Sequence, residues 1–312
     1  MKKIVFLDEY SIAGRNFDKV TSQGEYVAYD FTRKEQVVER LKDADIAITN
    51  KVVIDGEAMR QLPKLKLICI AATGMNNVDL ETAKELGIEV KNAVGYSTIS
   101  VAETTLASAL ALARNVVYFD EYFHDGRYSQ AERAFCYDRL TFQISGKRWA
   151  IIGLGNIGRE VARLASAFGC EVRYFSTSGV KREEQYEAME LEELLKWCDI
   201  LSVHSPLNER TRGLIGAKEL GLMRPSALVI NVARGGIIDE AALAEALDNG
   251  TIAAAALDVF SVEPLRESPL YNIKDRYRLL ASPHNAWSAA EAIDNLIECI
   301  AKNIETWLEA NK

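Results

Sequence analysis

Three side chains that can bind anions or move protons follow predicted strands in the second half of the sequence. Arg234 ends "INVAR", Glu263 lies in the loop after "AALDVF", and His284 follows "RLLASP". An imidazole changes protonation near neutral pH, and a guanidinium can grip a carboxylate with two hydrogen bonds. Each residue alone could be a surface ion-pair partner, and His284 alone could be a buried ring bonded to backbone. Because parallel strands end at one sheet edge, we expect all three to gather there.

The two other histidines have weaker claims to chemistry. His124, in "FHDGRYS", is expected in a surface loop. His204 ends the predicted strand "LSVH", so it should face the same crevice. We expect it to line that crevice rather than to transfer protons.

A glycine motif lies at the same predicted edge. "GLGNIG" provides Gly153, Gly155 and Gly158 in the G-x-G-x-x-G spacing, after a strand and at the start of a helix. In that context the glycines permit a tight turn, a close approach of backbone to a pyrophosphate, and helix–strand packing. A strand–helix turn without a ligand is the alternative. The motif predicts a dinucleotide site.

The next strand ends without the acid that holds the ribose hydroxyls in an NAD site. It ends in Ser176, Thr177 and Ser178, and Lys181 and Arg182 follow. Hydroxyls and a cation can bind the 2′-phosphate of NADP, which an acid would repel. The pattern therefore favours NADP over NAD. In the alternative interpretation, Lys181 and Arg182 are solvated loop charges and the hydroxyl side chains bind NAD.

Strands and helices alternate along the chain, which predicts α/β architecture with parallel sheets. A long helical pattern starts near Ser100, where Glu103 completes a capping-box spacing. The predicted domains are 1–100 with 288–312, and 101–287. The expected strands are 3–7, 45–49, 66–71 and 88–92 in the first domain, and 147–152, 171–175, 199–204, 227–231, 253–259 and 278–282 in the second. The second set matches a doubly wound, dinucleotide-binding (Rossmann) sheet.

Composition excludes several other classes of protein. The 312 residues carry a net charge of -8, which disfavours a nucleic-acid partner. No apolar run is long enough for a membrane span, and the N-terminal segment is too short and too acidic for a signal peptide. The five cysteines form no C-x-x-C pair, so neither a metal site nor a disulfide framework is expected. A cytoplasmic location fits these features.

Five ordered segments resemble the signatures of the D-isomer-specific 2-hydroxyacid dehydrogenases. They are "GLGNIG", "HSPLNERTRGLIG", "NVARGGIIDEAAL", "ALDVFSVEP" and "SPHNAW". "AATGMNNVDL" and "NAVGYSTISVAE" are similar to that family as well, so the resemblance covers nearly the whole chain. The ending "PHNAW" is similar to glycerate dehydrogenases and hydroxypyruvate reductases. The resemblance implies a flavodoxin-like substrate (catalytic) domain beside the Rossmann domain, and a homodimer formed through the latter.

The resemblance also implies roles for individual residues. Arg234 would bind the substrate carboxylate and polarise the 2-oxo group. His284 would protonate the carbonyl oxygen as hydride arrives, with Glu263 fixing its tautomer. Backbone groups at Thr73, Gly74 and Met75 would hold the substrate carboxylate. The implied cofactor contacts, besides the glycines, hydroxyl residues and Lys181 already named, are Asn156, Ile157, Pro206, Thr211, Val232, Ala233, Asp258 and Trp287.

Two alternatives to a 2-hydroxyacid dehydrogenase remain. A dinucleotide sensor without catalysis could use this fold to recruit protein partners, although the chain lacks long flanking segments for them. A formate- or phosphite-type dehydrogenase could also share the scaffold. Formate enzymes pair the histidine with Gln, whereas this sequence has Glu263.

Overall fold

A computed structural model describes residues 1–179 and 184–312 of the chain. The chain divides into two compact units. The first contains residues 1–97 and 288–312, and the second contains residues 98–287.

Each unit contains one parallel sheet. Strands β1 to β12 are Lys3–Phe6, Glu25–Ala28, Ile46–Thr49, Leu67–Ile70, Glu89–Asn92, Arg148–Ile152, Glu171–Phe175, Glu187–Ala188, Ile200–Val203, Leu228–Asn231, Ala254–Leu257 and Leu279–Ala281. Helices α1 to α11 are Asp18–Thr21, Val37–Leu41, Gly56–Arg60, Leu80–Glu85, Thr98–Ala113, Val116–His124, Asn156–Ala167, Leu191–Trp197, Ala217–Leu220, Glu240–Asp248 and Ala290–Ala310. Single 3-10 turns occupy Glu9–Ile12, Lys34–Gln36, Tyr128–Gln130, Pro269–Asn272 and Arg276–Arg278.

The sheet of the first unit has the strand order β2-β1-β3-β4-β5. This is the flavodoxin-like order, which confirms the expected fold class. Every residue of β3 and β4 is buried, as in parallel strands that are covered on both faces. The strand β2 was missed because it is a half-exposed edge strand with little hydrophobic signal.

The sheet of the second unit has the order β12-β11-β10-β9-β6-β7-β8. Its first strand, β6, is central, and the order reverses beside it, as in a doubly wound Rossmann sheet. The strands β9, β10 and β11 are buried at every residue. Because all neighbours pair in parallel, the loops after β6, β7, β9, β10, β11 and β12 leave the sheet at one edge.

The long helical pattern differs from expectation in two ways. It is broken at Asn115, whose φ of 48° is left-handed, so α5 and α6 are separate helices. The helix α5 also begins at Thr98, which places Ser100 inside it rather than at its cap. The Ser100 hydroxyl donates instead to the carbonyl of Ala286, 2.6 Å away. The capping-box prediction is therefore wrong, and the serine ties α5 to the loop that carries His284.

Candidate active site

His284 and Glu263 form the central contact of the predicted constellation. Nδ1 of His284 lies 2.6 Å from Oε2 of Glu263, and the side chains are 20% and 31% exposed. A carboxylate accepts hydrogen bonds, so Nδ1 carries a proton and Nε2 is the ring atom left for chemistry. The other carboxylate oxygen, Oε1, accepts from the backbone N–H of Phe260 at 3.1 Å. Both oxygens of Glu263 therefore have partners that fix the orientation of the carboxylate.

Asp258 holds the loop that carries His284. Its Oδ1 accepts from the Ser282 hydroxyl at 2.6 Å and from the Asn285 N–H at 2.8 Å, while Oδ2 accepts from the Ala286 N–H at 2.9 Å. The backbone N–H of His284 donates to the carbonyl of Asp258 at 2.8 Å. These bonds stabilise His284 in a left-handed conformation, φ 57°, that residues other than glycine rarely adopt. The implied contact between Asp258 and a nicotinamide stays a prediction.

Arg234 lies in the loop after β10, which a buried asparagine shapes. The Asn231 side chain donates to the carbonyl of Arg234 at 2.9 Å and accepts from the N–H of Ala233 at 3.0 Å. One N–H of the Arg234 guanidinium donates to the Ala233 carbonyl at 2.7 Å. Its other N–H groups have no partner among the described residues. The guanidinium is thus anchored at one nitrogen and retains donors for a ligand.

Gly235 brings the Arg234 loop against the Glu263 loop. A Cβ at this position would lie 1.9 Å from the carbonyl carbon and oxygen of Phe260, and 2.4 Å from the backbone nitrogen of Ser261. Only a residue without a side chain permits this approach. The close contact links two segments that the sequence separates by more than twenty residues.

The glycine motif borders a cavity of about 240 Å³. Gly153 has φ 90°, and a Cβ there would lie 2.9 Å from the Cβ of Ser205. A Cβ at Gly158 would lie 2.3 Å from the Gly153 carbonyl, so these two glycines are needed by the protein itself. A Cβ at Gly155 would meet no protein atom within 4 Å. The cavity is lined by Gly153, Leu154, Gly155, Tyr174, Ser176, Thr177, Ser178, Glu184, His204, Ser205, Pro206 and Asn208.

Two buried polar atoms in the cavity wall fit a bound nucleotide. Among the described residues, neither Nδ1 of His204 nor the hydroxyl oxygen of Ser205 has a hydrogen-bond partner. Buried polar atoms are normally paired, because leaving one unpaired costs about 1–3 kcal/mol. Together with the space above Gly155, they indicate a polar ligand such as a dinucleotide. The residues present therefore fit the implied cofactor.

His204 is held in place by a short hydrogen-bond chain. Its Nε2 lies 2.9 Å from the Ser202 hydroxyl, which accepts from the indole N–H of Trp149 at 2.8 Å. Burial lowers the pKa of His204 to about 3, so the ring is neutral at physiological pH. It lines the crevice, as expected.

The hydroxyl cluster at the end of β7 has charged neighbours that the sequence analysis missed. Ser176 and Ser178 lie 3.3 Å apart through their hydroxyl oxygens. Arg210, from the loop after β9, donates to the Ser178 carbonyl at 3.2 Å. Glu184 lines the cavity and is paired with Arg159 of α7. Lys181 and Arg182 lie outside the described residues.

The remaining predicted cofactor contacts occupy the same edge of the second unit. Asn156 and Ile157 are the first residues of α7, and Val232 and Ala233 directly follow β10. The Thr211 hydroxyl donates to the Pro206 carbonyl at 2.7 Å and accepts from the N–H of Asn208 at 2.8 Å. Thr211 is fully buried, so it shapes the loop that carries Pro206. Trp287 is partly buried against the core behind the His284 loop.

The predicted substrate-binding segment lies in the first unit, after β4. The Thr73 hydroxyl donates to the Ala93 carbonyl at 2.9 Å, and the Asn92 side chain donates to the Thr73 carbonyl at 2.7 Å. Thr73 and Met75 are exposed. Hydrogen bonds to the residues around β5 thus order this segment, and its role, with Gly74, in holding a substrate stays a prediction.

The chain is similar to known proteins over almost its full length. A family model described as the NAD binding domain of D-isomer specific 2-hydroxyacid dehydrogenases matches residues 106–286. A glycerate dehydrogenase from Methylorubrum extorquens is 37% identical, with 98% of this chain and 96% of the relative covered. A hydroxypyruvate reductase from Blautia hydrogenotrophica is 32% identical, with 99% and 98% covered.

A solved structure has a similar fold. It is an NADPH-dependent glyoxylate/hydroxypyruvate reductase from Sinorhizobium meliloti in complex with citrate. The two chains are 26% identical, with a TM-score of 0.86 and coverage of 99% of this chain and 95% of that one.

No helix in the described ranges, 1–179 and 184–312, has the length and apolarity to cross a membrane.

Proposed function

The chain belongs to the D-isomer-specific 2-hydroxyacid dehydrogenase family, and from this premise we propose that it reduces a small 2-oxo acid, with hydroxypyruvate and glyoxylate as candidate substrates. The family makes it an NAD(P)-dependent oxidoreductase. The relatives' names, glycerate dehydrogenase and hydroxypyruvate reductase, support the proposed substrates.

The observation that carries the proposal is the 2.6 Å contact between His284 and Glu263. An imidazolium oriented through Nδ1 can give its Nε2 proton to a carbonyl oxygen and become neutral. The Nδ1–H donates to Glu263 before and after that transfer, so the side chains need not rearrange. In the oxidation direction the neutral ring takes the hydroxyl proton back. His284 is therefore proposed as the general acid and base, and Glu263 as the residue that orients it.

Arg234 is proposed to bind the substrate carboxylate. Its guanidinium is anchored through the Ala233 carbonyl, and its remaining N–H donors suit a planar carboxylate. The same charge would stabilise the negative charge that develops on the 2-oxo oxygen during reduction. When bound, the reduced nicotinamide supplies the hydride, and the protein contributes position and charge. A complete Arg, Glu and His set favours catalysis over a dinucleotide sensor.

We propose NADPH as the preferred hydride donor. Ser176, Thr177 and Ser178 line the cavity where an NAD site would present an acid, and hydroxyls can donate to a 2′-phosphate. The solved relative from Sinorhizobium meliloti is NADPH-dependent by its description.

The two units have separate proposed roles. The second unit is proposed to bind the dinucleotide, and the first unit is proposed to bind the substrate. The cytoplasm is the proposed location of the protein.

A second copy of the chain is the proposed partner. Residues 116–140 of the second unit expose large apolar side chains, and Phe135, Tyr137 and Leu140 are 75%, 77% and 81% exposed. A concentration of exposed apolar groups of this kind marks an association surface. We therefore propose a homodimer formed through this segment, which we call the apolar arm (residues 116–140).

A steady-state screen tests the function. Purified protein is mixed with a panel of 2-oxo acids and either NADPH or NADH, and loss of the reduced nucleotide is followed by absorbance. We expect turnover with hydroxypyruvate or glyoxylate, faster with NADPH, and a product of D configuration. Absence of turnover across the panel with both nucleotides would overturn the proposal.

A further inference from the structure

Arg210 contacts the segment that carries the hydroxyl cluster at the end of β7. Its guanidinium Nη1 donates to the Ser178 carbonyl at 3.2 Å. The same nitrogen would lie 3.7 Å from a Cβ at Gly179. Arg210 comes from the loop after β9, whereas the hydroxyls end β7, so the sheet brings them together. A cation thereby lies against the carbonyl of Ser178, the last of the three hydroxyl residues.

The backbone around Arg210 is itself ordered. The side chain of Asn208 accepts from the N–H of Arg210 at 2.9 Å, and Thr211 is buried directly after it. The cation is therefore presented by a shaped loop rather than by a loose one. Among residues 1–179 and 184–312, no carboxylate lies within ion-pair distance of Arg210. Its charge is not neutralised by a described partner.

The other arginine near the cavity is committed to a carboxylate. Arg159 of α7 bonds both oxygens of Glu184, with 3.1 Å between Nε and Oε2. The Glu184 side chain is only 12% exposed. The hydrogen bond to Glu184 raises the pKa of Arg159 above its ordinary value. This pair cancels its own charge, whereas no ion-pair partner of Arg210 lies among the described residues.

A nucleotide with a 2′-phosphate complements this end of the cavity. The phosphate adds about two negative charges and three acceptor oxygens at pH 7. Three hydroxyl side chains and a guanidinium can donate hydrogen bonds to those oxygens. A ribose without the 2′-phosphate has no negative charge for the guanidinium to pair with. A charge-assisted hydrogen bond from arginine typically changes affinity by about tenfold or more.

We propose that Arg210 is a specificity-determining residue for the adenosine 2′-phosphate, supplying a cation from the loop after β9 to the hydroxyl cluster at the end of β7. This rests on the proposed function, because it assigns a residue to the nucleotide choice of the same site. It places a determinant of the nucleotide preference in the loop after β9.

Binding of nucleotide fragments to the purified full chain tests the proposal without turnover. Adenosine 2′,5′-bisphosphate and adenosine 5′-monophosphate are titrated against wild type and Arg210→Ala by calorimetry. We expect the bisphosphate to bind Arg210→Ala about tenfold or more weakly, with the monophosphate within about twofold of wild type. Arg210→Lys should recover part of the lost affinity, because it keeps the charge but not the fork.

Arg212→Ala is the matched control, because Arg212 is an exposed arginine on the same loop. It should leave both affinities near wild type. An unchanged ratio of the two affinities in Arg210→Ala would overturn the assignment, and so would an equal loss of both. Those results leave the proposed reaction standing if 2-oxo acids are still reduced. Wild-type protein that binds neither fragment and reduces no 2-oxo acid would instead reject the proposed function.

Discussion

Nδ1 of His284 lies 2.6 Å from Oε2 of Glu263, while the backbone N–H of the same histidine donates to the Asp258 carbonyl at 2.8 Å. The ring and the backbone of His284 are thus held by two different acidic residues, and both residues follow β11. A general acid must present its proton within hydrogen-bond reach of the acceptor, and this double anchoring restricts where Nε2 can lie. The proposed proton transfer by His284 therefore depends on the packing of one loop against another.

Gly235→Ala tests whether this packing matters for catalysis. An added methyl would overlap the Phe260 carbonyl, so the Arg234 and Glu263 loops must separate. We expect turnover to fall by about a hundredfold, as for displacements of about 1 Å at an active site, and thermal stability to drop. Gly155→Ala is the stability control, because its methyl meets no protein atom within 4 Å. Equal melting temperatures and equal turnover for Gly235→Ala and wild type would contradict the overlap.

His204 should make the stability of the fold pH-dependent. Its pKa is about 3 in the folded chain and about 6.5 when unfolded. Between about pH 6.5 and 3 the unfolded chain carries a proton on His204 that the folded chain does not. The free energy of unfolding therefore falls as the pH falls through this range. The slope is at most about 1.4 kcal/mol per pH unit.

Chemical denaturation of wild type and His204→Asn from pH 7.5 to 4.5 measures this effect. The variant should be less stable at pH 7.5, because it loses the bond to Ser202, and should lose less stability on acidification. His124→Gln, which changes an exposed histidine, is the control and should follow wild type. Parallel pH dependence of wild type and His204→Asn would argue against a buried neutral ring.

Ser176→Asp tests the proposed nucleotide preference. A carboxylate in the cavity would repel a 2′-phosphate and accept the ribose hydroxyls, so kcat/KM should shift toward NADH by about tenfold or more. Ser176→Asn is the neutral control and should shift the ratio much less. The kcat/KM values for both nucleotides check this, and an unchanged ratio in Ser176→Asp would refute it.

Charged substitutions in the apolar arm test the proposed homodimer. Phe135→Asp with Leu140→Asp should shift the mass measured by light scattering from dimer to monomer, because charge on an apolar interface must be desolvated. Phe31→Asp is the control, since Phe31 is 59% exposed in the first unit. A monomeric wild type, or a double variant that stays dimeric, would count against the arm as the interface.

Strand ends were predictable from the sequence, whereas the contacts of the loops beyond them were not. A buried apolar run located the strand β10 that precedes Arg234, because a parallel core leaves a strong hydrophobic pattern. A shorter apolar run located β12, the partly exposed edge strand that precedes His284. The anchoring by Asp258, the contact of Arg210 with Ser178 and the position of Glu184 in the cavity wall depend on loop conformations. Those conformations are determined by tertiary hydrogen bonds between distant segments, which local spacing does not encode. The hydrogen bond from Ser100 to the Ala286 carbonyl was unpredictable for the same reason, because the two residues are far apart in the sequence.

Turnover by His284→Ala, measured beside its nucleotide affinity, tests the central claim most directly. The substitution removes the proposed general acid but leaves the cavity that the glycine motif borders intact. We predict that hydroxypyruvate reduction falls by about 10²- to 10⁴-fold, while the Kd for NADPH stays within about threefold of wild type. Near-normal turnover, or a lost nucleotide affinity with the rate retained at saturation, would contradict the role of His284.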